Sequence, residues 1–283
     1  MIYKRTTSVK ETLVELKKNK GSKALLAGGT DLLIHLRYHE GPPLHLIDIS
    51  GVPELSGIRR QNGEIRIGSL TTMSEMASSP VIQEYCPVLS TAAISVGSPQ
   101  IRNRATIGGN LCHASPCADT VPPLIALDAI LDLQSPQGIR QLPLEKFLLK
   151  PYRVALNPDE LLVGIRIPLP SPNLITTFYK LGRRKALAVA RLNLAVGLEL
   201  DNGIISNAIL SPGSIMPHPG RLYNLEQQLI NQKPTQDLFQ DIGFKVSNLM
   251  VKEAGVRWST PYKKPVVAAL IARCLQQCLE GNQ

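Results

Sequence analysis

Apolar and polar positions alternate along the chain with two periods. Val9, Leu13 and Leu16 recur at helical spacing behind Ser8 and Glu11, a capping-box pair, and Gly21 ends the helix they predict. Lys23 to Ala27 is a short apolar run that stops on Gly28-Gly29, which predicts a buried strand and a turn. A new apolar segment starts after Asp31, and Leu44 to Ser50 alternates like a strand. "GIRRQNGEIRIGSL" predicts a hairpin with Asn62-Gly63 as its two-residue turn. Thr72 with Glu75 caps a further short helix, and Cys86 to Val96 reads as a helix entered at Pro87. Gly97 to Asn110, rich in Arg, Asn and Gly, reads as a loop. Pro122 and Pro123 suit the first turn of a helix through Ala129, and strands follow at Ile130–Gln134 and Leu161–Ile167.

"IPLPSPN", Ile167 to Asn173, breaks the pattern with three prolines and reads as a linker. Beyond it, Phe178–Arg183, Leu192–Leu200 and Ile204–Leu210 read as strands, the last two joined by the turn Asp201–Gly203. Helices follow near Arg221–Ile230, near Gln236–Glu253 and from Pro265 to Glu280. Strands and helices mix without strict alternation, which predicts an α+β fold.

The 283 residues, 43% of them hydrophobic, are enough for one large domain or two medium ones. A formal charge of +9 favours anionic ligands or acidic partner surfaces. No basic run is interleaved with aromatics and no helix-turn-helix, zinc-finger or RNA-recognition pattern occurs, so nucleic acid is not an expected partner. Five irregularly spaced cysteines argue against a disulfide framework and for a reducing compartment. The first residues carry no apolar signal core, and no run approaches the roughly 18 apolar residues of a membrane span. A cytoplasmic protein is the default expectation.

"ATIGGNLCHASPCAD", Ala105 to Asp119, concentrates candidate chemistry. Cys112, His113, Cys117 and Asp119 invite a metal reading, but structural zinc sites pair two close cysteine knuckles and no second knuckle exists here. The thiols then read as buried filler, and no metal ligands are assigned. No serine sits in a nucleophile elbow, and neither a P-loop nor G-x-G-x-x-G is present. What remains is "AGGTD", Ala27 to Asp31, at a strand end, and "TIGGN", Thr106 to Asn110. Glycine pairs let backbone amides approach an anion closely. Thr30, Thr106 and Asn110 add polar contacts, and Asp119 can accept from hydroxyls. Two such segments suggest two loops closing on one long ligand, and a dinucleotide suits that shape.

Four stretches in this order, "LLAGGTDLL", "SPQIRNRATIGGNLCHASPCAD", "FYKLGRRKALAVARLNLAV" and "RWSTPYKK", resemble the FAD-binding medium subunit of the molybdenum hydroxylases. That family includes xanthine dehydrogenase and carbon monoxide dehydrogenase. The resemblance spans essentially the whole chain. It implies a two-lobed, vanillyl-alcohol-oxidase/PCMH-like FAD domain over residues 1–170 and a C-terminal α+β domain of the CO dehydrogenase flavoprotein type over 175–283.

It also implies non-covalent FAD. Ala27, Gly28, Gly29, Thr30 and Asp31 would wrap the diphosphate, flanked by Leu25, Leu26 and Leu32. Thr106, Ile107, Gly108, Gly109 and Asn110 would lie along the cofactor. Asp119 matches an acidic FAD contact. Leu162, or Val163 by a one-residue shift, matches an apolar flavin contact, and Lys180 matches a lysine near the flavin that tunes it by charge. Val96 stands where some relatives carry an aromatic.

The partners implied are a small subunit with two two-iron two-sulfur clusters and a large subunit with the molybdenum cofactor, as a dimer of heterotrimers. NAD is the implied acceptor. Arg102 and Arg104, just before the second glycine pair, are candidates for an anionic group. Two rival functions are a single-chain FAD-dependent oxidase or dehydrogenase and a nucleotide-binding scaffold without redox activity.

Overall fold

The computed structural model describes residues 2–18, 21–38 and 44–280, so the last three residues of the expected C-terminal domain, 281–283, lie outside it. β1 (Ile2–Arg5), α1 (Val9–Lys18), β2 (Lys23–Leu26), α2 (Leu32–Leu36) and β3 (His45–Asp48) form a small parallel layer with strand order β1-β3-β2. Ser8 Oγ accepts from the Glu11 amide at 3.1 Å, while Glu11 reaches back to the Thr7 amide at 2.9 Å, one residue beyond a standard box. β1 has no apolar alternation to announce it, and all four residues are exposed. The edge of β3, wholly buried in the same sheet, supplies its pairing.

The next segment runs β4 (Ile58–Gln61), β5 (Glu64–Gly68), α3 (Met73–Ser78), α4 (Pro80–Tyr85), α5 (Pro87–Ile94), α6 (Pro99–Arg102), α7 (Ile107–His113) and α8 (Val121–Ala126). It continues through β6 (Ile130–Ser135), β7 (Gly138–Pro143), α9 (Leu144–Phe147), β8 (Leu148–Lys150), β9 (Arg153–Val154) and β10 (Leu161–Pro168). β4-β5-β10-β6-β7 is an antiparallel sheet in that order. Asn62 (φ 53°) and Gly63 (φ 74°) make the turn the sequence called for, with Gln61 opposite Glu64.

Strand alternation sorts this sheet into two faces. Ile65, Ile67, Leu131, Leu133, Ile165 and Ile167 enter the main core with residues of α3, α5, α7 and α8. The opposite face carries charge, with Arg166 donating to Asp132 at 2.8 Å and Arg66 to Glu64 at 2.5 Å. A second, smaller core of Leu13, Leu16, Ile47, Ile49, Val52, Leu55, Leu70 and Leu161 ties the parallel layer to this sheet.

The stretch Gly97–Asn110, expected as loop, instead contains α6 and the start of α7. Ser98 caps α6 ahead of Pro99, and Thr106 Oγ1 accepts from the Gly109 amide at 3.2 Å to cap α7. α8 stops at Ala126, three residues short of the expected end, where Asp128 turns the chain at φ 52°. All six residues of α8 are buried, because β12 and β13 pack on it together with α5 and α9.

That third sheet is β11 (Ile175–Leu181), β12 (Leu192–Asp201) and β13 (Ile204–Pro212), antiparallel in chain order. α10 (Tyr223–Leu229), α11 (Gln236–Ala254) and α12 (Thr260–Glu280) cover its far face. Leu192, Leu194, Val196 and Leu198 face those helices, while Ala195 and Ile209 face the main core. α12 starts at Thr260 rather than Pro265. The Lys263 amide already bonds to the Ser259 carbonyl at 2.8 Å, so the proline sits inside the helix and removes one later backbone bond.

Arg140 and Glu160 lock the β7 edge. Nε and Nη2 donate to the two carboxylate oxygens at 2.5 and 2.8 Å, and the Asn157 amide adds a bond at 2.8 Å. These bonds, the arginine first among them, hold the buried Glu160 carboxyl well down, to about 2. A carboxyl so depressed stabilises the fold at neutral pH. The folded-state value lies below the unfolded one, so this stability is present above the ordinary carboxylate range and is lost as pH falls toward 2. Glu160→Gln is expected to lower the urea midpoint at pH 7 and to flatten the acid limb of the stability curve. An acid limb unchanged in the variant would place the loss elsewhere.

Candidate functional site

β2 carries the chain to Gly28 and Gly29, and α2 takes it away. Between them, the amides of Ala27, Gly28, Gly29, Thr30, Asp31 and Leu32 donate to no acceptor among the described residues. The loop is half-buried rather than fully exposed. Gly29 adopts φ +72°, the left-handed geometry that turns successive amides toward one side. A buried or half-buried amide without a partner is costly, so six in a row mark a place built for an external acceptor. A dinucleotide diphosphate fits that donor set.

Gly28 is required for a second reason. A Cβ there would lie 1.9 Å from the Arg104 carbonyl oxygen. The first glycine segment therefore rests on the backbone just before the second one.

The amides of the second segment do not share the freedom of the first. Its amides are spent inside the protein: Ile107 on the Thr71 carbonyl at 2.9 Å, Gly108 on Ser69 at 2.8 Å, Gly109 on Thr106 Oγ1 and Asn110 on the Thr106 carbonyl at 3.0 Å. Gly108 is small because helix α7 packs on the end of β5; a Cβ would lie 2.7 Å from Ser69. Asn110 Oδ1 accepts from Thr120 Oγ1 at 2.7 Å. "TIGGN" is thus a capped helix start docked on the sheet, and its amides do not form a cradle.

Asp119 and Lys180 come together from elements 61 positions apart. Lys180 Nζ lies 2.5 Å from Asp119 Oδ2 and donates to the Ser95 carbonyl at 2.9 Å. Asn193 of β12 donates to Asp119 Oδ1 at 3.0 Å, and its own Oδ1 accepts from the Ser214 amide at 2.7 Å. Asp119 is 6% exposed. Burial pushes its carboxyl above the ordinary range, against the pull of Lys180 and Asn193. Both side chains first serve as a polar bolt between the α7–α8 loop and the third sheet.

Leu162 is buried in the main core opposite Leu133, while Val163 is half-buried beside Leu25 and Ala27. A bulge between Leu162 and Gly164 separates the two environments. Val96, like Leu162, packs against the main core. Arg102 donates to the Val96 and Gly97 carbonyls at 3.2 Å, so it closes its own loop.

His113, given no role in the sequence reading, has a partner. Its Nε2 lies 2.9 Å from Asp31 Oδ2, joining the end of α7 to the first glycine segment. Cys112 does pack as filler, and burial pushes its thiol up to about 12; Cys117 is also raised. No local signal marked His113, because its partner is 82 positions away.

These features define a flavin-carrying class, and comparison with known proteins agrees. Residues 1–170 match the FAD binding domain of molybdopterin dehydrogenases, and residues 177–278 match the CO dehydrogenase flavoprotein C-terminal domain. The chain belongs to the family of FAD-binding medium subunits of the molybdenum hydroxylases, and it is an oxidoreductase subunit.

Among its relatives, the putative xanthine dehydrogenase FAD-binding subunit of Escherichia coli K12 is 34% identical over 280 residues, covering 95% of this chain and 96% of that one. The carbon monoxide dehydrogenase medium chain of Hydrogenophaga pseudoflava is 30% identical over 273 residues, covering 96% and 95%. A solved carbon monoxide dehydrogenase from that organism, lacking the Mo-pyranopterin moiety of its cofactor, superposes with a TM-score of 0.92 at 30% identity over 99% of this chain and 97% of its own. No helix among the described residues is long and apolar enough to cross a membrane.

Proposed function

We propose that this chain holds non-covalent FAD as the electron-transfer subunit of a multi-subunit, xanthine dehydrogenase-like molybdenum hydroxylase. The observation that carries this reading is the run of six amides from Ala27 to Leu32 that have no acceptor among the described residues, braced against Arg104. Those donors would neutralise the FAD diphosphate without a lysine or arginine. Leu25, Leu26 and Leu32 would flank it. Thr106, Ile107, Gly108, Gly109 and Asn110 would contribute contact surface rather than amide donors. Val163, packed like Leu25 and Ala27 against the smaller core while Leu162 is buried in the main one, would meet the cofactor, and the Asp119–Lys180 pair would set the local charge.

Bound flavin supplies redox chemistry that links iron–sulfur clusters of a small partner to NAD or another acceptor, with the molybdenum cofactor on a large partner. A dimer of heterotrimers in the cytoplasm is the assembly proposed. The relative named for xanthine dehydrogenase supports the substrate class.

The test is the visible spectrum of the purified chain after incubation with excess FAD and desalting, followed by co-expression with the neighbouring reading frames. A stoichiometric flavin band and co-purifying iron–sulfur and molybdenum subunits are expected. A chain that retains no flavin, or one fully active alone, would overturn the assignment.

A further inference from the structure

Asp31, His35 and His113 offer three ligand atoms within 4.8 Å of one another. Asp31 Oδ2 lies 2.9 Å from His113 Nε2 and 3.3 Å from His35 Nε2. The imidazoles come from different helices, α2 and the end of α7, with ring centroids 6.3 Å apart and planes tilted by 40°. Tyr152 holds the His113 ring edge-on at 5.2 Å. None of the three ligands is buried, so an ion from solvent can reach them.

Zinc binds imidazole nitrogen and carboxylate oxygen at about 2.0–2.2 Å, which puts neighbouring ligand atoms of a tetrahedron roughly 3.3–3.5 Å apart. The Asp31–His35 pair already has that spacing and the Asp31–His113 pair is slightly closer. Two imidazoles and one carboxylate suit zinc-class transition ions, whereas magnesium and calcium take oxygen ligands. Charge points the same way. Asp31 ends a loop whose free amides call for an anion, and its carboxylate opposes that anion. A dication held between the carboxylate and the two imidazoles removes that conflict.

We propose that Asp31, His35 and His113 bind a divalent transition metal of the zinc class, which pins the first glycine segment to α7. The site uses side chains of this chain alone and exists without FAD, so its fate is separable from the flavin assignment.

The test titrates the flavin-free full chain with Co²⁺ and then Zn²⁺. One Co²⁺ per chain with visible absorption, displaced by Zn²⁺, is expected, together with a raised melting temperature; Mg²⁺ does neither. His35 is an exposed side chain, so His35→Ala keeps the fold and is expected to weaken binding at least about tenfold. His113→Ala is expected to do the same. Absence of the Co²⁺ band, or unchanged affinity in His35→Ala, overturns the proposal. FAD content of His35→Ala is measured in parallel: normal flavin with lost Co²⁺ binding supports the metal site independently, and Co²⁺ binding by a chain that never takes flavin does so as well.

Discussion

Gly28→Ala is expected to purify without flavin. The added methyl would sit 1.9 Å from the Arg104 carbonyl oxygen, far inside the contact distance of about 3.5 Å between non-bonded heavy atoms. Neither side can yield cheaply, because the obstacle is backbone and not the end of a flexible side chain. The loop must lift away from Arg104. Lifting it disperses the six free amides and pulls Asp31 from His113. Overpacking of this kind costs about 1–3 kcal/mol, and each 1.4 kcal/mol that falls on binding is tenfold in affinity.

A drop of at least about tenfold in FAD per chain follows, measured by flavin released on heating. Gly108→Ala is the control. Its methyl meets Ser69 between α7 and β5, so it should lower the melting temperature of the flavin-free chain more than Gly28→Ala does. Stoichiometric FAD in the Gly28 variant would show that the loop does not bind the diphosphate.

Asp119→Ala should be the most destabilising side-chain truncation of the three sheets' junction. It strands the Lys180 ammonium, whose side chain is only 13% exposed, with the Ser95 carbonyl as its remaining hydrogen-bond partner among the described residues. It also removes an acceptor from Asn193, which is wholly buried. Breaking one side of a buried pair costs about 3–5 kcal/mol. Urea unfolding of the flavin-free chain measures it. Replacing both partners, Asp119→Leu with Lys180→Met, is expected to recover a large part of the loss, since no charge is then left alone. A double-mutant coupling near zero would mean that the two side chains act independently. In the complete assembly, Lys180→Met alone is expected to shift the flavin reduction potential if its charge reaches the ring; full FAD content with an unchanged potential would confine Lys180 to the bolt.

Much of the fold was legible because its signals are local. Asn62-Gly63 and Asn202-Gly203 took left-handed turns with their strands in the expected pairing. Thr72 and Glu75 closed a capping box. The break at residues 167–173 fell between the second and third sheets. The turn of the first glycine segment was legible for the same reason: a strand end, two glycines and a helix start are neighbours in sequence.

What failed to appear shares a cause. β1 is a strand only because β3 presents an edge 43 residues away. The amides of "TIGGN" looked available because Ser69 and Thr71, which take two of them, lie more than 30 positions earlier. The capping residues Ser98 and Thr106 did signal α6 and α7, but glycine content outweighed them.

The sequence by itself determined many of the elements, the two glycine segments and the family, since these rest on propensity, spacing and motif. Only the tertiary structure decided which glycine pair keeps its amides free. It also decided that Asp119 and Lys180 neutralise each other, and that His113 meets Asp31. Hydrogen bonds and ion pairs are satisfied by whichever group the packed core brings within about 3 Å, and that choice is made by contacts between distant parts of the chain.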